Sequence, residues 1–176
     1  MNPSQIVLKL VLDAVRQPLE LDSFERRLMI QKKVYLTQLT GLDLAYRFGW
    51  YLHGPYCLEL TNDAFRAKEQ IDGGEDDYKR ETLAPFARKL TGKAETIWAN
   101  RPDGIDEDDW LELLASLHYL KHIAYMGRNA LRDFDEIWQA LIDSKPRFKG
   151  RKHDAQQAWQ QLGRVGLLVN KVLPVV

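Results

Sequence analysis

The stretch GWYLHGPYCLEL, residues 49 to 60, sets Trp50, Tyr51, His53, Tyr56 and the single cysteine, Cys57, around a Gly-Pro pair. Proline suits a first helical position, so a helix opening at Gly54-Pro55 would turn unpaired backbone N–H groups toward these aromatics. Such a corner favours an anion or a carboxylate. It also suits a protein partner, because aromatic side chains bury much area at low entropic cost. Trp50, Tyr51, His53 and Tyr56 are therefore the candidate partner-binding residues. The competing structural reading makes them core residues beside an ordinary helix start. Cys57, in the first turn of that helix, would have its thiolate stabilised there. His53 stands four residues before it, and the two form the best candidate catalytic pair. No glycine-flanked nucleophile, GxSxG, Walker loop or GxGxxG accompanies them, so an enzyme and a bound cofactor are not expected.

Two other clusters carry possible chemistry. HYLKH places His118 and His122 at i and i+4 on one helical face, a spacing that can chelate a metal. Tyr119 stands where HExxH needs glutamate, and Glu112 is only a loose third ligand, so no metal site is expected. The run KPRFKGRKH carries Lys145, Arg147, Lys149, Arg151 and Lys152 between two helices. Helix, basic turn, helix and a following GLLV segment is the order of a winged-helix unit, and those five cations are its candidate phosphate contacts. The second helix offers Gln156, Gln157, Gln160 and Gln161 but little positive charge before Arg164, which weakens a nucleic-acid role.

Periodicity supplies the elements that must position these groups. Residues 4 to 17 read as a helix closed before Pro18. Asp22 or Ser23 caps a second helix to about Thr40, with Phe24, Leu28, Tyr35 and Leu39 on its apolar stripe and Arg26, Lys33 and Thr37 opposite. AYRFGWYLH alternates, placing Tyr46, Phe48, Trp50 and Leu52 on one side of a short strand or extended arm. Helices follow from Gly54 to about Gln70, over 81–99 with Leu83, Phe86, Leu90, Ile97 and Trp98 as core, from Asp108 to Met126, and from Ala130 to Asp143. A last helix is capped by Asp154. The segment IDGGEDDYKR is the linker candidate, dividing an N-terminal lobe (1–72) from a C-terminal, winged-helix-like lobe (81–176), with one continuous domain as the alternative. The expected fold is mainly α: a compact helical domain with a short strand or extended element and winged-helix-like parts.

The 176 residues are 45% hydrophobic, enough for a core, and carry 25 basic and 25 acidic side chains. Zero net charge argues against a surface that binds phosphate everywhere. One cysteine fits a reducing compartment, and the interrupted apolar run of the first 15 residues fits a helix better than a signal peptide. A cytoplasmic protein without membrane contact is expected.

The segment from Arg27 to Leu60 resembles the bacterial YwgA-like proteins and, more distantly, the Panacea (SocA-like) antitoxin domain. The matching positions are Lys33, Tyr35, Leu36, Gln38, Tyr46, Phe48, Trp50, Tyr51, His53, Gly54, Pro55, Tyr56 and Leu60. Cys57 stands where the family pattern has serine. The resemblance implies a small helical, non-enzymatic protein acting through protein contacts, with a toxin or a defence-complex subunit as partner. A winged-helix nucleic-acid-binding regulator using residues 145–153 is the alternative.

Overall fold

The computed structural model describes residues 1–124 and 133–169. Seven α-helices and one two-stranded antiparallel sheet make up the regular structure of these residues: α1 (Pro3–Ala14), α2 (Phe24–Gln38), β1 (Gly49–Tyr51), β2 (Gly54–Tyr56), α3 (Leu58–Asp72), α4 (Pro85–Trp98), α5 (Glu107–His122), α6 (Phe134–Ser144) and α7 (Lys152–Arg164). The mainly helical expectation holds. No described helix is long and apolar enough to cross a membrane.

Local chemistry sets most helix starts. Asn2 caps α1 in a reciprocal box with Gln5: the Asn2 Oδ1 accepts from the Gln5 amide and the Gln5 Oε1 accepts from the Asn2 amide, both at 2.9 Å. Ser23 caps α2 and Asp133 caps α6. Asp154 does not cap α7; the helix begins at Lys152, with Asp154 inside its first turn and bonded to Arg151.

Helix α5 is the axle of the fold. Every residue from Trp110 to Leu120 is buried, because α2, α4, α6, α7 and the hairpin surround it. A helix with apolar residues around its circumference belongs at such a centre. Tyr35 and Leu36 of α2 join α5, α6 and α7 in the larger core cluster, while Ile30 and Val34 of α2 face a second cluster with α1 and α3. Phe48 packs against both. The expected lobes thus meet along α2, and residues 72–80 bridge helices that share neighbours.

Four expectations need correction. Gly54 and Pro55 do not open a helix; they form β2, and α3 begins at Leu58 with Cys57 as its N-cap. Lys33 and Thr37 do not face solvent, since α4 and α5 cover that side of α2. Phe24 and Phe86, read as core, are 46% and 65% exposed. The extended segment expected after α7 is a turn and bend through Val169, with Gly166 at φ 75°. Helix, turn and helix are present in α6 and α7. Met126, Ala130 and Leu131, assigned to helices from the sequence, lie outside the described residues, as do residues 170–176.

Candidate functional site

The aromatic corner is a hairpin. Gly49 pairs with Tyr56, Trp50 with Pro55 and Tyr51 with Gly54, leaving Leu52 and His53 as the turn. A hairpin this short is marginal alone in water. Buried side chains hold its backbone from the protein side. Lys32 Nζ donates to the Pro55 carbonyl at 2.7 Å, and Lys145 Nζ donates to the Leu52 carbonyl. Gln31 closes the exit of β2: its Nε2 donates to the Cys57 carbonyl at 2.9 Å and its Oε1 accepts from the Cys57 amide at 2.9 Å. Gln31 and Lys32 are adjacent on α2, so one helical turn secures the whole second strand.

Gly54 is required where it stands. Its φ is +83°, a left-handed conformation that L side chains rarely adopt. A Cβ there would also lie 2.5 Å from Ser116 Oγ on α5. The strand therefore lies against the Ser116 side chain of α5 as closely as glycine allows. Pro55 gives up an N–H, while its carbonyl receives the lysine.

Beneath the turn, one carboxylate gathers the cations. Glu112 of α5, nearly enclosed, accepts from Lys145 Nζ at 2.9 Å and from the Arg147 guanidinium at 2.9 Å. His53 Nδ1 lies 3.6 Å from Glu112 Oε2, the oxygen that Arg147 contacts. Burial lowers the Lys145 ammonium from its ordinary value, against the pull of Glu112. Burial also lowers Lys32, to about 7; Glu112 opposes that shift and Lys145 adds to it. Asp109 is pushed up by burial, but its bonds to Arg147 and Arg151 outweigh this and hold the carboxyl below its usual range. A cavity of about 160 Å³ opens beside this group, between Phe24, Leu28 and Met29 of α2 and the charged side chains Lys32, His53, Glu112 and Arg147.

The candidate partner-binding residues divide. Tyr51 is 57% exposed and sits edge-on to Tyr56 at 5.2 Å. His53 packs edge-on to Phe24 at 5.0 Å. Trp50 is half-buried, 5.5 Å from the Tyr119 ring and 5.1 Å from Lys145 Nζ, so it forms the inner wall of the hairpin. The Tyr56 hydroxyl accepts from Thr61 at 2.8 Å. Leu52, which alternation places on the inner side, is instead 76% exposed at the turn, where strand alternation no longer applies.

The basic turn is largely neutralised. Lys145 is buried on Glu112 and cannot present its ammonium to a phosphate. Arg147 bonds Asp109 and Glu112, Arg151 bonds Asp109 and Asp154, and Lys152 bonds Asp135. Lys149 is exposed. The two histidines of HYLKH are engaged as well: His118 Nδ1 lies 2.8 Å from the Tyr35 hydroxyl, and His122 Nε2 donates to the Leu167 carbonyl at 2.8 Å. Cys57 is buried among α1, α2 and α3 side chains, and burial raises its thiol. His53 turns to Glu112 and Phe24 instead of toward it.

Lys32, Glu112 and Ser116 were not singled out by motif, although Glu112 had been weighed as a metal ligand. Glu112 and Ser116 stand out as polar positions at i and i+4 inside the apolar run WLELLASLHYL, but only the packing of α5 on all sides makes them buried groups that need partners, and Lys32 has no such local signal.

Together these features define a mainly helical protein with a braced hairpin standing beside a charged cavity. No family model, characterised protein or solved structure matches the chain.

Proposed function

We propose that the chain is a cytoplasmic, non-enzymatic protein-interaction module, antitoxin-like or a subunit of a bacterial defence complex, that holds a protein partner on the outer face of the β1–β2 hairpin. The carrying observation is the contrast between the two sides of that hairpin. Three buried side chains grip its backbone, yet its tip exposes Tyr51 and Leu52. A large apolar side chain held in place on a fixed turn loses little entropy on binding and suits a desolvated pocket on a partner. The resemblance of residues 27–60 to YwgA-like and Panacea-type proteins supports the same reading. A phosphate-binding role for residues 145–153 has less support, because four of its five cations already have carboxylate partners.

The test is comparative capture from the native host after nuclease treatment. Wild-type protein should retain one stoichiometric protein that Tyr51→Ser/Leu52→Ser loses. Both positions are exposed, so the variant should keep wild-type stability within about 0.5 kcal/mol. Equal capture by the folded double variant would end the proposal.

A further inference from the structure

The cavity behind the hairpin is a feature separate from its outer face. Lys32 is only 2% exposed, and among the described residues its one hydrogen bond is to the Pro55 carbonyl. An ammonium has three donors. Among the described residues no carboxylate forms an ion pair with this one. Buried charges in folded proteins are ordinarily paired, because an unpaired one carries the full cost of desolvation. The carboxylate that could have served, Glu112, is occupied by Lys145 and Arg147 at 2.9 Å each. Lys145 and Arg147 thus pair with one enclosed acid, and Lys32, which lines the cavity together with Arg147 and Glu112, is left without a carboxylate of its own among the described residues.

The rest of the lining limits what could supply the missing charge. Phe24, Leu28 and Met29 supply the apolar part of the lining, beside Lys32, His53, Arg147 and the already paired Glu112. Glu25 and Asp108 stand at the exposed rim. They would repel a second negative charge. The volume of about 160 Å³ is that of a ligand with about six heavy atoms, since a cavity of about 150 Å³ holds benzene.

We propose that this cavity binds a small monocarboxylate with a short branched hydrocarbon group, its carboxylate on Lys32 and His53 and its hydrocarbon against Phe24, Leu28 and Met29. The pH behaviour of Lys32 gives the site a signature. Burial holds the Lys32 amine near 7, with Glu112 opposing and Lys145 adding, while Arg147, Glu25 and Asp108 are the other charged groups of the lining. A bound carboxylate favours the ammonium, so binding above that pH takes up a proton and weakens as pH rises, by up to about tenfold per unit.

The probe is isobutyrate, titrated against the full chain and followed by the methyl resonance of Met29. Saturable binding is expected with a dissociation constant of about 1 mM, the scale for so few atoms. Isobutyramide, equal in shape but neutral, should bind at least tenfold more weakly, as should the dianion succinate. Affinity should fall between about pH 7 and pH 9. Lys32→Met should lose both the binding and its pH dependence. Equal binding of the amide, tighter binding of succinate, a flat pH profile or no saturable shift would each overturn the proposal. These comparisons use the unmodified protein and hold even if Lys32→Met fails to fold.

Discussion

Replacing Gly54 by alanine tests the close approach of the hairpin to α5. Two costs add. The left-handed φ of +83° costs an L residue about 1–2 kcal/mol. The new methyl carbon would sit 2.5 Å from Ser116 Oγ, and Ser116 has no exposed surface into which to withdraw. Overpacking of this kind costs about 1–3 kcal/mol, so Gly54→Ala should destabilise the protein by about 2–5 kcal/mol. The two contributions separate in a double-mutant cycle. Ser116 Oγ is buried with no hydrogen-bond partner among the described residues, so Ser116→Ala alone should be neutral or slightly stabilising. In the Ser116→Ala background the steric cost disappears and only the conformational cost remains. Urea unfolding of the four proteins should therefore give a coupling energy of about 1–3 kcal/mol. Effects that add to within about 0.5 kcal/mol would show that Gly54 and Ser116 do not touch, and the account of the hairpin seat would fail.

Glu112→Gln should destabilise by about 3–5 kcal/mol, because it strands Lys145 in the interior; Glu112→Leu with Lys145→Met should recover much of that loss, and a single substitution costing under about 1 kcal/mol would contradict the buried pair. Lys32 ionises near 7 in the folded chain but near about 10.4 unfolded, so the unfolded state binds more protons between those values. Stability should rise with pH across that window by at most about 1.4 kcal/mol per unit, and urea midpoints that rise equally in Lys32→Met would remove Lys32 as the cause. Cys57 should react slowly with a disulfide reagent until denaturant is added, since its thiol is buried and raised; rapid native labelling would place it outside the core.

Much of this protein is legible in the residues alone. Ser23 and the apolar periods mark α1 and α2 to within a few positions, because capping and amphipathic burial act over a turn or two of chain, although the Asn2 cap shows only in the structure. The aromatic corner is likewise visible as an unusual place, where Tyr51 is exposed and His53 lines the cavity.

What the corner is made of was decided elsewhere. Gly54-Pro55 suits a helix start by local rules, yet it became a strand because Lys32, Gln31 and Lys145 bind the backbone carbonyls at 55, 57 and 52. Those donors are distant in sequence, and no propensity window contains them. The same holds for charge. Lys145, Arg147 and Arg151 read as a solvated basic turn until α5 brings Glu112 and Asp109 against them. Local sequence determined where helices begin and which residues are unusual. Only the tertiary structure decided which polar groups would be buried together, because pairing a buried charge depends on what the rest of the chain places within about 4 Å of it.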